Sequence, residues 1–217
     1  KVHDDELGQD FSRDIGAAGI DFFTEPLTQG PSTGRSIVLV TPDAERSMFT
    51  YLGASEKLSE EDIDENIIKA GKIIYLEGYL WDKEEAKKAM VKACELAHKH
   101  NRKVAFSLSD KSVVKRHRQE FLNLVKDYVD ILFGNEEEIK TLFAENDFYK
   151  TLEMLKPDVE IAAITRSAKG SVVVNGRTIT FVEAEKVDDV VDSTGAGDLY
   201  AAGFLYGIIN ERSLGTC

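Results

Sequence analysis

An α/β fold, with a mostly parallel central sheet covered by helices on both faces, is predicted by three observations. From Ser59 onward, short apolar runs rich in β-branched residues alternate with amphipathic helical patterns. Hairpin turn signals fall at Pro42-Asp43 and Asn175-Gly176, while the other strands alternate with helical patterns. No Pro/Gly/Ser linker, repeat or low-complexity stretch divides the 217 residues, a length suited to one large α/β domain or one domain with a small appendage.

Each element has its own signal. "ELGQDFSRDI" reads as a helix and "IDFFT" as a strand. "RSIVLVT" and "SMFTYLG" are β-rich and flank "PDAER", which makes them a hairpin. "SEEDIDENIIKA" is helical with Ser59 as N-cap, and "KIIYLEG" is a short buried strand. "DKEEAKKAMVKACELAHKHN" is a long amphipathic helix that sets Ala86, Met90, Ala93, Cys94 and Ala97 on one face. Strand "KVAFSLS", helix "VKRHRQEFLNLVKDY", strand "VDILFG" and helix "NEEEIKTLFA" follow. A helix "DFYKTLEML" then leads to the strand "EIAAITR", and "GSVVVN" and "RTITFV" form the second hairpin. A helix from about Gly195 to Asn210 completes the pattern.

Composition excludes some functions. Lys and Arg number 27 against 39 Asp and Glu, a net charge of −12, which disfavours nucleic acid and anionic membranes as partners. Any anion must be met by backbone N–H groups, a helix N-terminus or a bound cation. The two cysteines, Cys94 and Cys217, form no CxxC and no metal-ligand spacing, and no apolar stretch is long enough to span a bilayer. With no visible secretory leader, a cytoplasmic location is expected. The chain opens on "KVHDDELGQDF" without an initiator Met and is expected to be a fragment of a longer one.

Ligands of parallel α/β sheets gather at the carboxyl ends of the strands, so polar residues at those ends carry the functional signal. "DSTGAGDLYAAGFLYG", from Asp192 to Gly207, is the sharpest. Gly195 and Gly197 permit close backbone approach ahead of a helix whose unpaired N–H groups attract an anion. A P-loop is excluded because Asp198 follows Gly197, and a dinucleotide loop because Tyr200 stands where the third glycine belongs. A plainer reading has Asp192, Ser193 or Thr194 capping the helix and Asp198 complementing its dipole. Asn135 with Glu138 three residues on forms a capping box, and "ITRSAKG" is a strand-to-strand turn. Ser107 and Asp110 either face the same cleft or cap the next helix. Arg116, His117 and Arg118 fit a solvated helix face, and His98 and His100 fit charges near a helix C-terminus.

The stretch Asp192–Asp198, followed by Ala202-Gly203-Phe204-Leu205, closely resembles the C-terminal signature of the ribokinase (PfkB) family of carbohydrate kinases. "SLSDKSVVKRHRQEFLNLVKDYVDILFGNEEE", "TGRSIVLVTPDAERSMFTYLGAS" and "YLEGYLWD" resemble its adenosine-kinase-like branch, so the likeness covers nearly the whole chain. The resemblance implies a three-layer ribokinase-like fold with a small β lid: one partial kinase domain over residues 1–217, with lid or edge strands at about 20–55. Thr33, Gly34, Arg35 and Arg46 would then sit by the lid and the substrate.

The resemblance also implies ATP-dependent phosphorylation of a primary hydroxyl on a sugar or ribonucleoside. Asp198 would be the base, and Gly195, Ala196 and Gly197 the anion hole for the transferring phosphoryl group. Asn135 and Glu138 match a motif that organises Mg2+, its waters and the nucleotide phosphates. Thr165, Ser167 and Gly170 match a Thr-x-Gly-x-x-Gly turn at ATP, with Ser167 in place of its first glycine. Glu138 would act at Mg2+, and Asp192 and Thr194 would hold a monovalent cation such as K+, as in several members. The expected partner is a small-molecule sugar or nucleoside, a homodimer is admitted, and neither nucleic acid nor membrane is expected. The family's Gly-Gly-x-x-x-Asn element and early Asp, which grip the sugar, and its C-terminal helices find no match here. Two rivals follow: a kinase for another sugar such as fructose or a ketodeoxy acid, and a nucleotide-binding protein without turnover.

Overall fold

The computed structural model describes residues 1–42, 46–156, 158–187 and 190–217. Contacts divide the chain into two units, of which the first comprises Lys1–Asp64, Asp82–Lys92 and Val190–Ser193. Its first helix, α1 (Glu6–Ala17), begins where the Asp5 carboxylate accepts the Gly8 amide at 2.9 Å. Thr33 donates to the same carboxylate through its amide (2.9 Å) and its hydroxyl (2.6 Å), so the helix start is tied to a residue 28 positions on. A side chain at position 8 is impossible, since a Cβ would stand 1.9 Å from the His3 carbonyl oxygen.

The predicted first hairpin exists as β1 (Arg35–Val40) and β2 (Arg46–Tyr51), antiparallel with Arg35 opposite Tyr51 and Val40 opposite Arg46. All twelve of its residues are exposed. At its base Gly34 and Gly53 admit no Cβ, which would meet Leu52 O at 2.5 Å and Ser32 O at 2.2 Å. The predicted turn at Asp43 lies outside the described residues. "IDFFT" is not a strand: residues 20–24 belong to no regular element, and the nearest pairing is a single bridge between His3 and Leu27. Its apolar run has no ladder partner among the described residues, and without one an extended segment is not a strand.

The second unit carries a six-stranded sheet in chain order: β3 (Ile73–Glu77), β4 (Lys103–Ser107), β5 (Ile131–Asn135), β6 (Ile161–Thr165), β7 (Ser171–Asn175) and β8 (Thr178–Val182). β3 to β6 are parallel, and β6 to β8 antiparallel, closing on the predicted second hairpin with Gly176 at φ 53°. β3 ends the sheet and is half-buried throughout, not buried as its apolar run predicts, because an end strand has a neighbour on one side only.

Between the parallel strands run α2 (Glu65–Ala70) before β3, then α3 (Glu84–Lys99), α4 (Lys111–Arg116) and α5 (Arg118–Tyr128), α6 (Glu136–Phe143) and α7 (Phe148–Leu155). The five residues predicted for the inner face of α3 are all buried. Two predicted helices are each broken in two. Ser59 caps only a 3₁₀ turn, Glu60–Asp62, by a reciprocal box with Asp62, and Ile63 is extended before α2 begins. The other breaks at His117 (φ −112°, ψ 23°), although buried Val113, Val114, Phe121, Leu124 and Val125 keep a helical spacing across the break.

The sheet is covered on both faces. Phe106 on β4 meets Phe121 of α5 edge-on at 5.1 Å, with Trp81 against both. The alternate side chains Ala105, Ile131, Phe133, Ile161, Ala163 and Val173 pack on the other face with Ala201 and Phe204 of α8 (Ala196–Ile209). This is the predicted three-layer arrangement.

Candidate active site

The parallel strands finish together. Glu77 at the end of β3 is in register with Ser107 at the end of β4, and Asn135 at the end of β5 with Thr165 at the end of β6. The polar residues singled out in the sequence therefore line up along one edge of the sheet.

Asn135 caps α6. Its side-chain oxygen accepts the Glu138 amide at 2.9 Å, while Glu138 accepts the Asn135 amide at 3.0 Å and its side-chain NH₂ at 2.7 Å. The capping box is thus present, and Glu138 is only 6% exposed. Burial pushes its carboxyl above the ordinary value, and nearby Asp110 adds to the rise, against the lowering by the Asn135 amide. Gly134 makes room for this carboxylate: a Cβ there would stand 3.2 Å from Glu138 Oε2 and 2.9 Å from a Leu108 methyl. A buried, desolvated acid in the first turn of a helix that follows a strand end is costly unless something offsets its charge. Both its oxygens already accept hydrogen bonds from Asn135, which suits contact with a metal's waters better than direct ligation. Among the described residues no group of three or more His, Cys, Asp or Glu is placed to hold a metal ion.

At the start of α8, Gly195 is the N-cap, in the left-handed region at φ 76°, ψ 3°, and no side chain caps the helix. The N-cap position thus falls on Gly195 and not on Asp192, Ser193 or Thr194. The first i→i−4 bond runs from the Leu199 amide to the Gly195 carbonyl at 2.9 Å. The amides of Ala196, Gly197 and Asp198 precede it and have no i→i−4 acceptor within the helix, the position at which helix starts commonly meet anions. Asp198 stands exposed in this first turn. A Cβ at Gly197 would meet nothing within 4 Å, so that glycine is not required by packing within the described structure.

Asp198 has acidic company. Burial pushes the Glu77 carboxyl up, and Asp198 pushes it further. Tyr75 donates its hydroxyl to Glu77 Oε1 at 3.2 Å, and its phenol is raised by burial, then by Glu77 and, more weakly, by Asp198. Tyr79 is raised by burial and then by Asp110, Glu138, Glu77 and Asp198. One phenol thus senses carboxylates from β3, the β4–α4 loop, α6 and α8.

After β6, Ser167 adopts φ 53° and opens a 3₁₀ turn that ends at Gly170, φ 80°. The Arg166 amide reaches the Gly170 carbonyl at 2.8 Å, and a Cβ at Gly170 would stand 2.0 Å from Val182 O. Arg166 itself is held by Glu136 at 2.9 Å and lies 4.4 Å over the Phe148 ring. Asp192 and Thr194 are exposed and both engaged with partners.

Asp110 resolves as a cap, accepting the amides of Ser112 and Val113 at 2.7 and 3.3 Å. His98 meets the Tyr128 carbonyl at 3.1 Å and His100 meets Glu65 at 2.7 Å, as expected of helix-end charges. Sequence reading missed three residues. Glu77 had a signal, a lone acid ending an apolar strand. Tyr79 had none. Ser109 at φ 68° holds the Gly78 amide through its hydroxyl at 2.8 Å, so it fixes the backbone between Glu77 and Tyr79.

The family described as "pfkB family carbohydrate kinase" matches residues 1–217. Among solved structures, the adenosine kinase from Sinorhizobium meliloti matches at a TM-score of 0.97 with 48% identity, over 100% of this chain and 66% of that one. A putative ribokinase II from E. coli, in complex with ATP and Mg2+, matches at a TM-score of 0.86 with 21% identity, over 96% of this chain and 68% of that one. The 5-dehydro-2-deoxygluconokinase of Geobacillus kaustophilus (strain HTA426) is 27% identical over 223 residues, 97% of this chain and 66% of the relative. This chain spans about two thirds of the length of these proteins.

Proposed function

The chain belongs to the pfkB family of carbohydrate kinases, and on that premise we propose that its protein transfers the γ-phosphoryl group of ATP to a hydroxyl of a sugar or nucleoside. The observation that carries this reading is Asp198 in the first turn of α8, directly behind a left-handed Gly195 and beside the amides of Ala196 and Gly197, which precede the first i→i−4 bond of the helix. A base and an anion-binding helix start share one turn, as phosphoryl transfer requires: it needs positioning and charge stabilisation more than covalent chemistry. Asp198 takes the proton of the acceptor hydroxyl as the oxygen attacks phosphorus. The amides of Gly195, Ala196 and Gly197 meet the charge on the transferring group.

Asn135, Glu138, Thr165, Ser167 and Gly170 form the nucleotide side. Thr165 lies beside Asn135 across the β5–β6 ladder. Glu138 would hold the waters of Mg2+, an ion that would neutralise phosphate charge when bound. The E. coli neighbour bound to ATP and Mg2+ supports that cofactor pair. Asp192 and Thr194 are the assignment for a monovalent cation such as K+, and the β1–β2 hairpin is the lid. Identity of 48% to an adenosine kinase, against 27% to a 5-dehydro-2-deoxygluconokinase, favours the primary hydroxyl of a ribose or ribonucleoside as acceptor.

Asp198→Asn in the full-length protein tests the reading. Loss of general-base help costs about 10²–10⁴ in kcat, with ATP affinity by calorimetry nearly unchanged. Equal turnover in the variant would remove Asp198 from the mechanism.

A further inference from the structure

Among the described residues the sheet of the second unit ends on β8, whose one ladder partner is β7. The outer edge of β8 carries none of the features that commonly keep such an edge from pairing. Thr178-Ile179-Thr180-Phe181-Val182 contains no charge and no proline, and its register with β7 runs without a bulge. The ladder fixes which backbone groups face outward. The Val182 carbonyl turns toward β7, since a Cβ at Gly170 would stand 2.0 Å from its oxygen. Backbone groups alternate along an antiparallel strand, so the N–H and C=O of Ile179 and Phe181 point away from β7.

Side chains alternate in step. Val173, opposite Thr180, packs toward α8, so Ile179 and Phe181 stand on the other face of the sheet. There the Phe181 ring, 54% exposed, lies 6.2 Å from the ring of Tyr149 on α7, which is 62% exposed. An exposed charge stands at either end of the strand: Arg177 in the turn before it and Glu183 directly after it.

We propose that β8 is the pairing edge of a homodimer: it aligns antiparallel with β8 of a second copy, about a two-fold axis at Thr180, and joins the two sheets into one. In this register the edge is complementary to itself. Thr178 falls opposite Val182, Ile179 opposite Phe181, and Thr180 opposite Thr180 of the second copy, while Arg177 meets Glu183 at both ends. Ile179 and Phe181, whose backbone groups face outward, become the hydrogen-bonded pairs, so ladder phase and side-chain pairing agree. Moving the axis one residue toward Glu183 sets Ile179 against Glu183, and moving it one residue the other way sets Phe181 against Arg177. The register centred on Thr180 matches apolar with apolar and cation with anion. Such a pairing is closed by its two-fold axis and leaves no edge of β8 for further chains. It stands apart from the kinase reading, because no reacting group takes part in it.

The test is sedimentation velocity of the full-length protein over a concentration series. The wild type is a dimer that dissociates on dilution. Arg177→Glu and Glu183→Arg each set like charges opposite one another twice per dimer, and each raises the dissociation constant about tenfold or more. Combining the two reversals restores it to within about threefold. Arg177 and Glu183 lie six positions apart, about 20 Å along a strand, so the rescue reads contact between copies and not within one. Ile179→Pro removes an outward N–H and leaves the β7 ladder intact, so it abolishes the dimer while the far-UV circular dichroism stays that of the wild type. A wild type that is monomeric at about 100 μM, a dimer indifferent to both reversals, or a double reversal that fails to restore it overturns the inference.

Discussion

A single backbone angle separates Ser167 from the glycine that the family turn carries there. Its φ of 53° lies in the left-handed region, where a residue with a Cβ costs about 1–2 kcal/mol. Glycine recovers most of this and loses about 0.5–1 kcal/mol in chain entropy. Ser167→Gly is therefore expected to stabilise the protein by up to about 1 kcal/mol in urea unfolding, with the KM for ATP unchanged. A rise in that KM would instead give the hydroxyl a role at the nucleotide. Gly170, by contrast, has no such freedom, since the Val182 carbonyl occupies the space of its Cβ. The sequence showed the substitution at 167, and only the dihedral shows that it is strained. Glu77 teaches the same lesson from the other side. An acid ending an apolar strand is visible in the sequence, but its Tyr75 partner and its nearness to Asp198 are not.

At the scale of the element, α6 shows that capping and function need not compete. Asn135 and Glu138 satisfy each other's orphan amides, and this alone explains their spacing. The burial of Glu138 is not explained by capping, which works as well in solvent. Glu138→Gln keeps one oxygen to accept the Asn135 amide, gives up the acceptor facing the Asn135 side-chain NH₂ and removes the charge, so it should lower the unfolding midpoint less than Glu138→Ala does and raise the Mg2+ concentration needed for half-maximal turnover. Glu138→Ala should also cost about 1 kcal/mol of stability. An unchanged Mg2+ titration in the Gln variant would return the residue to capping alone. Elsewhere, periodicity recognised helices better than their breaks. The spacing of buried residues runs straight through His117, where the backbone leaves the helical region without changing face.

For the whole molecule, the acidic excess makes stability sensitive to which carboxylates are held. Lys99 first, and then His100, hold the Glu65 carboxyl down at about 2 against its ordinary 4.5. Two hydrogen bonds from Thr33 and one from Gly8 hold Asp5 at about 2. Acids depressed in the folded state give stability that is fully present above their unfolded values and is lost as the pH falls toward 2. Urea midpoints should therefore fall between about pH 4.5 and 2, and Glu65→Gln should shallow that fall while being less stable at neutral pH. An identical slope in the variant would remove Glu65 from the acid transition. Glu77 and Glu138 act in the opposite sense. Their raised carboxyls favour the folded state at low pH and cost stability once ionised, a cost accepted at a site rather than in a core.

By itself the sequence determined the alternation of strands and helices, the parallel sheet, the glycine stretch at the head of α8 and the kinase family it resembles. Those features are local: period, turn chemistry and a contiguous motif are all carried by neighbouring residues. It also predicted a strand at residues 20–24 that does not form, because a strand exists only through a pairing partner. The tertiary structure decided the rest. It brought Glu77, Tyr79, Asp110, Glu138 and Asp198 into one electrostatic neighbourhood, although they span more than a hundred positions of chain. Parallel strands in register end side by side whatever their separation in sequence, and no pattern along the chain records which ends will meet.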